Sequence, residues 1–338
     1  AEVKKVLAAL EGAEFVVAEL KERERQRHPS PPFITSSLQQ EAARKLNFRA
    51  AKTMQIAQQL YEGVDLGKEG TVGLITYMRT DSTRISPVAQ EEAREYIRGA
   101  YGAEFVPETP RVYARKNTNT QDAHEGIRPT SVKFEPEAVK PYLTRDQYRL
   151  YKLIWERFVA SQMSSAVLDT VTADLSAKDA VFRAVGSKIK FPGFMKVYVE
   201  GSDDGVTEED KMLPPLAKGQ RLKAIAIEPK QHFTQPPPRY TESRLVRALE
   251  ELGIGRPSTY APILDTIQKR GYCALEDKKF VPTELGELVV AIMEEFFPEI
   301  LDVEFTAHME EDLDHVEEGK IDWVEVLDEL YEPFKKRL

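Results

Sequence analysis

The period of the hydrophobic pattern changes twice along the chain, and this limits the possible folds more than any single motif. Residues 13–27 alternate apolar and charged positions, as an exposed β-strand does. Between residues 37 and 164, apolar side chains recur at helical spacing around one short β-branched run. From Ala166 onward the chain returns to β-branched runs separated by turns. This order predicts one β domain, residues 1–36 and 165–235, that is interrupted by a helical insertion.

The remaining residues, 236–338, predict a second helical region. Thr241 and Ser258 stand where they can cap two helices, residues 273–282 have the pattern of a β-hairpin, and Thr283 can cap a third helix. Helix, helix, hairpin and helix in this order are typical of winged-helix folds, which often bind nucleic acid, but many small α+β domains share the order. We therefore expect a multidomain protein of mixed α and β structure.

The composition is that of a globular protein with enough apolar residues to form cores. Of the 338 residues, 41% are hydrophobic and 30% are charged. The longest apolar runs, such as residues 288–293, are too short to span a bilayer, so we expect no membrane contact. The single cysteine, Cys273, excludes a disulfide scaffold and a multi-cysteine zinc site. These features fit a cytoplasmic protein.

The net charge of −9 does not by itself indicate a polyanionic partner, but the charge is unevenly distributed. Residues 236–338 contain 12 lysines and arginines against 24 acidic residues. Residues 37–164 contain 19 basic residues against 16 acidic ones. A nucleic-acid site in the helical insertion is therefore compatible with the total.

The first cluster of polar residues follows an apolar run, residues 71–77, that we predict to be a buried strand. Tyr77 ends this run, and Arg79 and Asp81 come directly after it. A guanidinium group beside a phenol favours the phenolate and can also hold a phosphate through two hydrogen bonds. The same spacing also fits a tyrosine at the edge of the core with a surface arginine next to it.

Two further clusters carry groups that suit a phosphate. In residues 117–130, His124 and Arg128 are four positions apart, so they would face the same way on a helical turn. In residues 253–260, Arg256 precedes Ser258 and Thr259 at the predicted start of a helix, where free amide groups and the helix dipole favour anions. The alternatives are a loop with a solvated histidine and an ordinary helix cap.

Together the three clusters resemble the bacterial type IA DNA topoisomerases, and most closely the topoisomerase I branch. The resemblance rests on GLITYMRTDS at residues 73–82, QDAHEGIRPT at 121–130 and GIGRPSTYAPILDTIQKRGY at 253–272. PPFITSSLQQEAARKL at 31–46 and KTMQIAQQLYEG at 52–63 are similar to the same family. Met78 is similar to topoisomerase I, whereas the topoisomerase III and reverse gyrase branches usually have proline there. A topoisomerase III-like decatenase remains an alternative.

The resemblance implies a role for each residue of the three clusters. Tyr77 matches the nucleophile that becomes linked to the 5′ end of the cut strand. Arg79 matches the residue that stabilises the phenolate and the transition state. His124 matches a histidine that contacts the phosphate. The positions that match residues holding the single strand are Arg256, Ser258, Thr259 and Arg270. Arg128 is added to the DNA-binding set from its spacing, and Asp81 is expected to orient His124 or Arg79.

The resemblance also implies an architecture in which a β arch carries a helical cap above a helical base. Residues 1–36 and 165–235 correspond to the arch, residues 37–164 to the cap with the tyrosine, and residues 236–338 to part of the base. The partner is expected to be DNA, at single-stranded segments of negatively supercoiled molecules, and the protein is expected to be a monomer.

The N-terminal Toprim domain and the C-terminal zinc ribbons of the family have no counterpart in these 338 residues. In the family the Toprim domain supplies a glutamate, a lysine and the carboxylates that bind Mg²⁺. We therefore expect no metal bound by this chain alone, and we expect the chain to be a piece of a longer protein that is inactive by itself. A non-catalytic DNA-binding or scaffold module is the alternative from another class, and a recombinase with a phosphotyrosine intermediate is a weaker one.

Overall fold

The computed structural model describes residues 2–113, 124–201 and 213–337. It has mixed α and β structure, as expected. The strands are β1 (Phe15–Arg27), β2 (Val64–Asp65), β3 (Thr71–Val72), β4 (Ala166–Ala177), β5 (Ala180–Phe191), β6 (Arg221–Leu222), β7 (Cys273–Glu276) and β8 (Lys279–Pro282). The helices are α1 (Glu2–Leu10), α2 (Thr35–Glu41), α3 (Ala50–Glu62), α4 (Pro87–Ala100), α5 (Pro136–Val139), α6 (Arg145–Ser161), α7 (Glu242–Glu251), α8 (Tyr260–Lys269), α9 (Glu284–Phe296), α10 (Pro298–Leu301), α11 (Val303–Glu317) and α12 (Trp323–Arg337). Among the described residues, no helix is long and apolar enough to cross a membrane.

The predicted β region forms an antiparallel sheet with the order β5–β4–β1–β6. The strand predicted over residues 13–27 is confirmed as β1, which pairs with β4 from Val16 opposite Ser176 to Arg27 opposite Ala166. We call β1, β4 and β5 the β ribbon. Most side chains along β1 and β5 are exposed, so the ribbon has little core of its own.

The prediction that residues 165–235 are entirely β-structure is wrong in two places. After β5 the chain makes a short helical turn at Gly193–Lys196, because Phe194 and Tyr198 turn into the core of the helical insertion. Near residue 221 only Arg221–Leu222 pairs with β1, and Ile225 beyond it is fully exposed. A segment with a strand-like sequence forms a strand only where it can hydrogen-bond to a neighbouring strand. Here β6 pairs with β1 over two residues, so the strand is short.

The helical insertion is built around α6, and we call residues 33–161 the helical block. Thr144 caps α6 in a capping box with Gln147. Ser86 caps α4 with Pro87 as its first residue, as the sequence predicts. The fully buried side chains include Phe33, Leu38, Leu60, Leu74, Tyr151, Ile154 and Phe158. This core is much larger than the apolar clusters beside the ribbon and in the C-terminal residues.

The buried strand predicted over residues 71–77 is shorter than expected. Only Thr71–Val72 pairs, with β2, and the next residues change partner. Gly73 passes so close to the main chain of Tyr61 that a Cβ atom there would lie 2.7 Å from the carbonyl oxygen. Beyond it, Leu74 accepts a hydrogen bond from the amide of Thr130, and Ile75 bridges to Pro129. The run is buried, but two short pairings replace one strand.

Residues 240–337, which we call the C-terminal region, contain the predicted order of helix, helix, hairpin and helix in α7, α8, β7–β8 and α9. Thr241 and Thr283 cap α7 and α9 as predicted. The prediction that Ser258 caps α8 is wrong, since the helix begins at Tyr260 with Thr259 at the cap position. Gly255, at φ +81°, turns the chain so that the Thr259 hydroxyl accepts the amide of Arg256 instead.

The helical block packs directly on the C-terminal region. Ala50 and Met54 of α3 join an apolar cluster with Val246, Tyr260 and Leu264. The amide of Ala50 donates to a carboxylate oxygen of Glu242 at 2.8 Å, and α2 packs along α7. Burial raises the pKa of Glu242, although this hydrogen bond opposes the shift.

Candidate functional site

The Tyr77 ring lies between two other rings at the edge of the helical block. Its centroid is 5.1 Å from that of His124, with 31° between the ring planes, and 5.4 Å from that of Tyr61, edge to face. Tyr77 is half-buried, whereas His124 is exposed. Ring contacts at these distances fix the direction of the phenol without enclosing it. The structure thus brings together two of the predicted site residues that lie 47 positions apart in the sequence.

Hydrogen bonds on both sides of Tyr77 hold its backbone, those of Thr76 before it and, after it, the one that the Met78 carbonyl oxygen accepts from the Thr35 hydroxyl. The Thr76 amide donates to the carbonyl oxygen of Arg128, and the Thr76 hydroxyl donates to that of Gly126 at 2.9 Å. The amide of Arg128 donates back to the Thr76 hydroxyl at 3.0 Å. The segment after His124 is therefore tied to the segment before Tyr77, which explains why the two rings meet.

Arg79 is exposed and lines an open cleft of about 320 Å³ between the helical block and α8. Met54 lies on the same side as Arg79, and Ser258, Asp265 and Lys269 line the opposite wall. Among the described residues, no carboxylate forms an ion pair with Arg79. Its guanidinium group is available for an anion that enters the cleft.

The helical turn on which His124 and Arg128 would face the same way does not form, because residues 124–130 contain no helix. The Arg128 guanidinium donates to Glu125 at 2.7 Å and to the carbonyl oxygen of Pro129 at 2.9 Å. Burial acts to raise the pKa of Glu125, but the hydrogen bond and charge of Arg128 outweigh it and lower that pKa below 4.5. Residues 117–123 of the same predicted cluster lie outside the described residues.

The turn before α8 does not present free amide groups as expected. The Gly255 amide donates to Glu310 at 3.0 Å, and the Arg256 amide donates to the Thr259 hydroxyl at 2.8 Å. The Arg256 side chain pairs with Asp314 on α11 through two hydrogen bonds, of 2.7 and 3.3 Å. These contacts anchor the turn on α11, and they compete with any anion for the same donors.

Of the other predicted residues, Ser258 lines the cleft, and Thr259 and Arg270 stand at the two ends of α8. Ser258 and Thr259 are exposed at the N-terminus of α8, and Arg270 is exposed at its C-terminus, about 15 Å away at the rise of an α-helix.

Asp81 is exposed, and its charge acts on Tyr260. Burial is the main cause that raises the pKa of Tyr260 to about 12, and the charges of Glu250 and Asp81 add to it. Asp81 therefore faces the C-terminal region.

Sequence reasoning missed the residues of α8 that line the cleft and the tyrosine that packs on Tyr77. Asp265 and Lys269 follow Ser258 at intervals of seven and eleven residues, which repeats one face of a helix and was a usable signal. Tyr61 gave no such signal, because its contact with Tyr77 depends on the fold of α3 against the following loop.

The described residues do not supply a magnesium site. They contain no group of three or more histidine, cysteine, aspartate or glutamate side chains that could hold a metal ion. Asp265, which lines the cleft, pairs with Lys269 at 2.5 Å. No set of groups among the described residues fits Mg²⁺, whose ligands the resemblance places in the Toprim domain.

The arrangement defines a class of site before any comparison is made. Arg79 is exposed in a cleft whose opposite wall carries Ser258, and Tyr77, two positions earlier in the chain, has its ring held by two others. A guanidinium group in an open cleft suits an anion such as a phosphate group. The chemistry available to Tyr77 is nucleophilic attack, and that available to Arg79 is stabilisation of negative charge.

The sequence model of the DNA topoisomerase family matches residues 1–328. The fold is similar to that of full-length topoisomerase I from Thermotoga maritima in a monoclinic crystal form, with a TM-score of 0.87 and 41% sequence identity. The match covers 98% of this chain and 54% of that one, so the chain spans about half the length of this relative. The chain belongs to the bacterial type IA DNA topoisomerase family.

Proposed function

We propose that this chain carries the nucleophile side of a DNA strand-cleavage site, with Tyr77 as the attacking group. The observation that carries the proposal is the position of the phenol between Tyr61 and His124, on backbone that is hydrogen-bonded on both sides, with Arg79 in the adjoining cleft. An ordered nucleophile, and two positions further along the chain a cation that forms no ion pair with any described carboxylate, are the groups that attack on a phosphodiester requires.

The proposed reaction exchanges one phosphodiester for another. The phenol of Tyr77 loses its proton, its oxygen forms a bond to a backbone phosphorus, and the bond from that phosphorus to the 3′ oxygen breaks. The 3′ oxygen takes up a proton and leaves as a hydroxyl, and the 5′ end stays linked to tyrosine. The reverse reaction reseals the strand, and because the number of phosphodiester bonds is conserved no ATP is needed.

The other site residues would act on the phosphate and the strand. Arg79 would stabilise the phenolate and the charge that develops on phosphorus, and His124 would contact the same phosphate. Ser258, Thr259 and Arg270 would hold the single strand along α8. Arg128 and Arg256 can contribute to DNA binding only by giving up part of their contacts with Glu125 and Asp314.

The domain arrangement extends this proposal to the whole reaction. The β ribbon would act as an arch, the helical block as a cap, and the C-terminal region as part of the base, over the boundaries 1–36 with 165–235, 37–164 and 236–338. Separation of cap and base would admit the second strand, so that each cycle relaxes negative supercoils at single-stranded segments. We propose a monomer as the working form.

We expect the 338 residues alone to cleave DNA slowly. The general acid for the 3′ oxygen and the metal-binding carboxylates of the family are expected outside these residues, and loss of a general acid costs about 10²–10⁴ in rate. The test is single-turnover cleavage of a labelled single-stranded oligonucleotide, with a denaturing quench, by the complete polypeptide that the gene encodes and by this chain alone.

The variants Tyr77→Phe and Tyr61→Phe make a matched pair for this test. Tyr77→Phe should abolish the covalent product, whereas Tyr61→Phe keeps the neighbouring ring and should retain it. DNA binding without any covalent product from the complete polypeptide would instead support the non-catalytic module. Decatenation without relaxation would support a topoisomerase III-like enzyme.

Binding of single-stranded DNA by this chain should be weak and sensitive to salt. The helical block has only a small excess of basic residues, and contacts to phosphate release counterions, so affinity should fall steeply between low and high ionic strength. A fluorescence titration with tight binding that salt does not change would contradict this.

A further inference from the structure

The backbone on both sides of Arg79 is held by one buried side chain, Thr35. Thr35 is the first residue of α2 and is fully buried. Its hydroxyl lies 2.7 Å from the carbonyl oxygen of Met78 and 3.1 Å from that of Thr80, and it accepts the amide of Thr80 at 2.9 Å. The Thr35 amide also donates to the carbonyl oxygen of Thr80 at 2.9 Å.

These contacts bracket Arg79 without touching its side chain. The Met78 side chain, on one side, is buried in the core of the helical block, and Thr80, on the other, is 3% exposed. Arg79 between them is exposed and lines the cleft. The backbone at Arg79 is therefore fixed relative to α2, while the guanidinium group remains free to meet a ligand.

We propose that Thr35 is a positioning residue for the cleavage reaction, which acts by setting where the Arg79 guanidinium stands relative to Tyr77. This inference rests on the proposed function and assigns a role to a residue that does not touch the DNA. The hydroxyl is required because it both donates to a carbonyl group and accepts an amide. A methyl group of the same size can do neither.

Thr35→Val in the complete gene-encoded polypeptide is the direct test. Single-turnover cleavage at saturating oligonucleotide should slow by about 10- to 100-fold, which is the effect of small misplacements of catalytic groups. The dissociation constant for DNA should change by less than about twofold, because most contacts to the strand are elsewhere. Thr35→Ser keeps the hydroxyl and should retain most of the rate.

Thr53→Val is the matched control. Thr53 on α3 is also fully buried, and within the described part of the chain its hydroxyl donates to the carbonyl oxygen of its own helix neighbour Arg49, at 3.0 Å. The substitution is chemically the same and should leave the cleavage rate unchanged at a temperature where both variants are folded. If Thr35→Val does not fold, Thr35→Cys, which keeps a weaker donor, should give an intermediate rate.

A double-mutant cycle separates positioning from general structural support. If Thr35 acts through Arg79, Thr35→Val should cost less than about twofold in an Arg79→Ala background. Equal fold losses in both backgrounds, or a wild-type rate for Thr35→Val, would overturn the inference. Cleavage by Tyr77→Phe would overturn the proposed function itself, so the two failures are distinguishable.

Discussion

Three arginines predicted for the site differ in what their guanidinium groups contact. Arg128 pairs with Glu125, Arg256 pairs with Asp314, and Arg79 faces a cleft. All three have the same intrinsic chemistry, so their availability for a phosphate is decided by neighbouring carboxylates. We therefore expect substitution of Arg79 to lower the activity. We expect substitution of Arg128 or Arg256 to lower mainly the stability of the fold.

Arg256→Ala should lower the free energy of unfolding by about 1–2 kcal/mol, since it removes a two-bond contact between a partly exposed guanidinium and Asp314. Arg79→Ala should leave the melting temperature within about 1 °C, because surface substitutions seldom change stability by much. Thermal unfolding of both variants checks this. Equal melting temperatures for wild type and Arg256→Ala would show that the ion pair contributes nothing.

The pair of Glu125 and Arg128 should make stability depend on pH below 4.5. Because the pKa of Glu125 is lowered in the folded state, its stabilising contribution is present above its unfolded value and is lost as pH falls through the folded value. Glu125→Gln should therefore differ from the wild-type protein in melting temperature more at pH 6 than at pH 3. A difference that grows on acidification would contradict the assignment.

At the scale of elements, α2 has two roles on two sides. Its first residue holds the loop with Arg79, while its body packs along α7. The side chains of Ser36 and Gln39 on α2 and of Ser243 on α7 are buried without a hydrogen-bond partner within the part of the chain that the structure describes. A buried polar group without a partner lowers the stability of the fold, since water would satisfy it in the unfolded chain.

Gln39→Leu should therefore stabilise the folded protein. Both amide atoms of Gln39 are buried and unpaired, and an apolar replacement of similar size removes that cost, with an expected gain of about 1 kcal/mol in unfolding free energy. Gln40→Leu is the control, because Gln40 donates to Glu250 and should not stabilise when replaced. Chemical denaturation of both variants measures the unfolding free energy, and an unchanged or lower value for Gln39→Leu would contradict the prediction.

At the scale of the molecule, the end of β5 is bound into the helical block. The Arg157 guanidinium donates to the carbonyl oxygen of Pro31 and to Glu200, both at 2.7 Å, while Glu41 accepts hydrogen bonds from Tyr198 and from the amide of Gly201. The connector between the β ribbon and the helical block near Pro31 is therefore part of a packed network. The exposed β ribbon, with few buried contacts, is the segment that can bend.

If the ribbon bends, the distance between two spin labels should be broadly distributed when one is at Glu11, which precedes β1, and the other is at Lys140 in the helical block. A control pair within the block, at Lys68 and Lys140, should give a narrow distribution. Both pairs would be placed after Cys273→Ser, which removes the natural thiol. Equally narrow distributions would locate the hinge elsewhere.

The sequence alone determined the order of the elements, the caps at Ser86, Thr241 and Thr283, and the clusters around Tyr77, His124 and Ser258. Period and capping are local properties, because hydrogen bonds and helix faces repeat within a few residues. The same clusters also indicated the family, since several long motifs in this order are typical of it.

Only the tertiary structure decided which groups meet. The contact of Tyr77 with Tyr61 and the clamp of Thr35 on Thr80 join residues from different elements, as do the carboxylate partners of Arg256. The tertiary structure also decided that residues 71–77 form two short pairings with different partners and not one continuous strand. Such contacts depend on how elements pack, and the hydrophobic pattern fixes which face of an element is buried but not which polar atom lies opposite it.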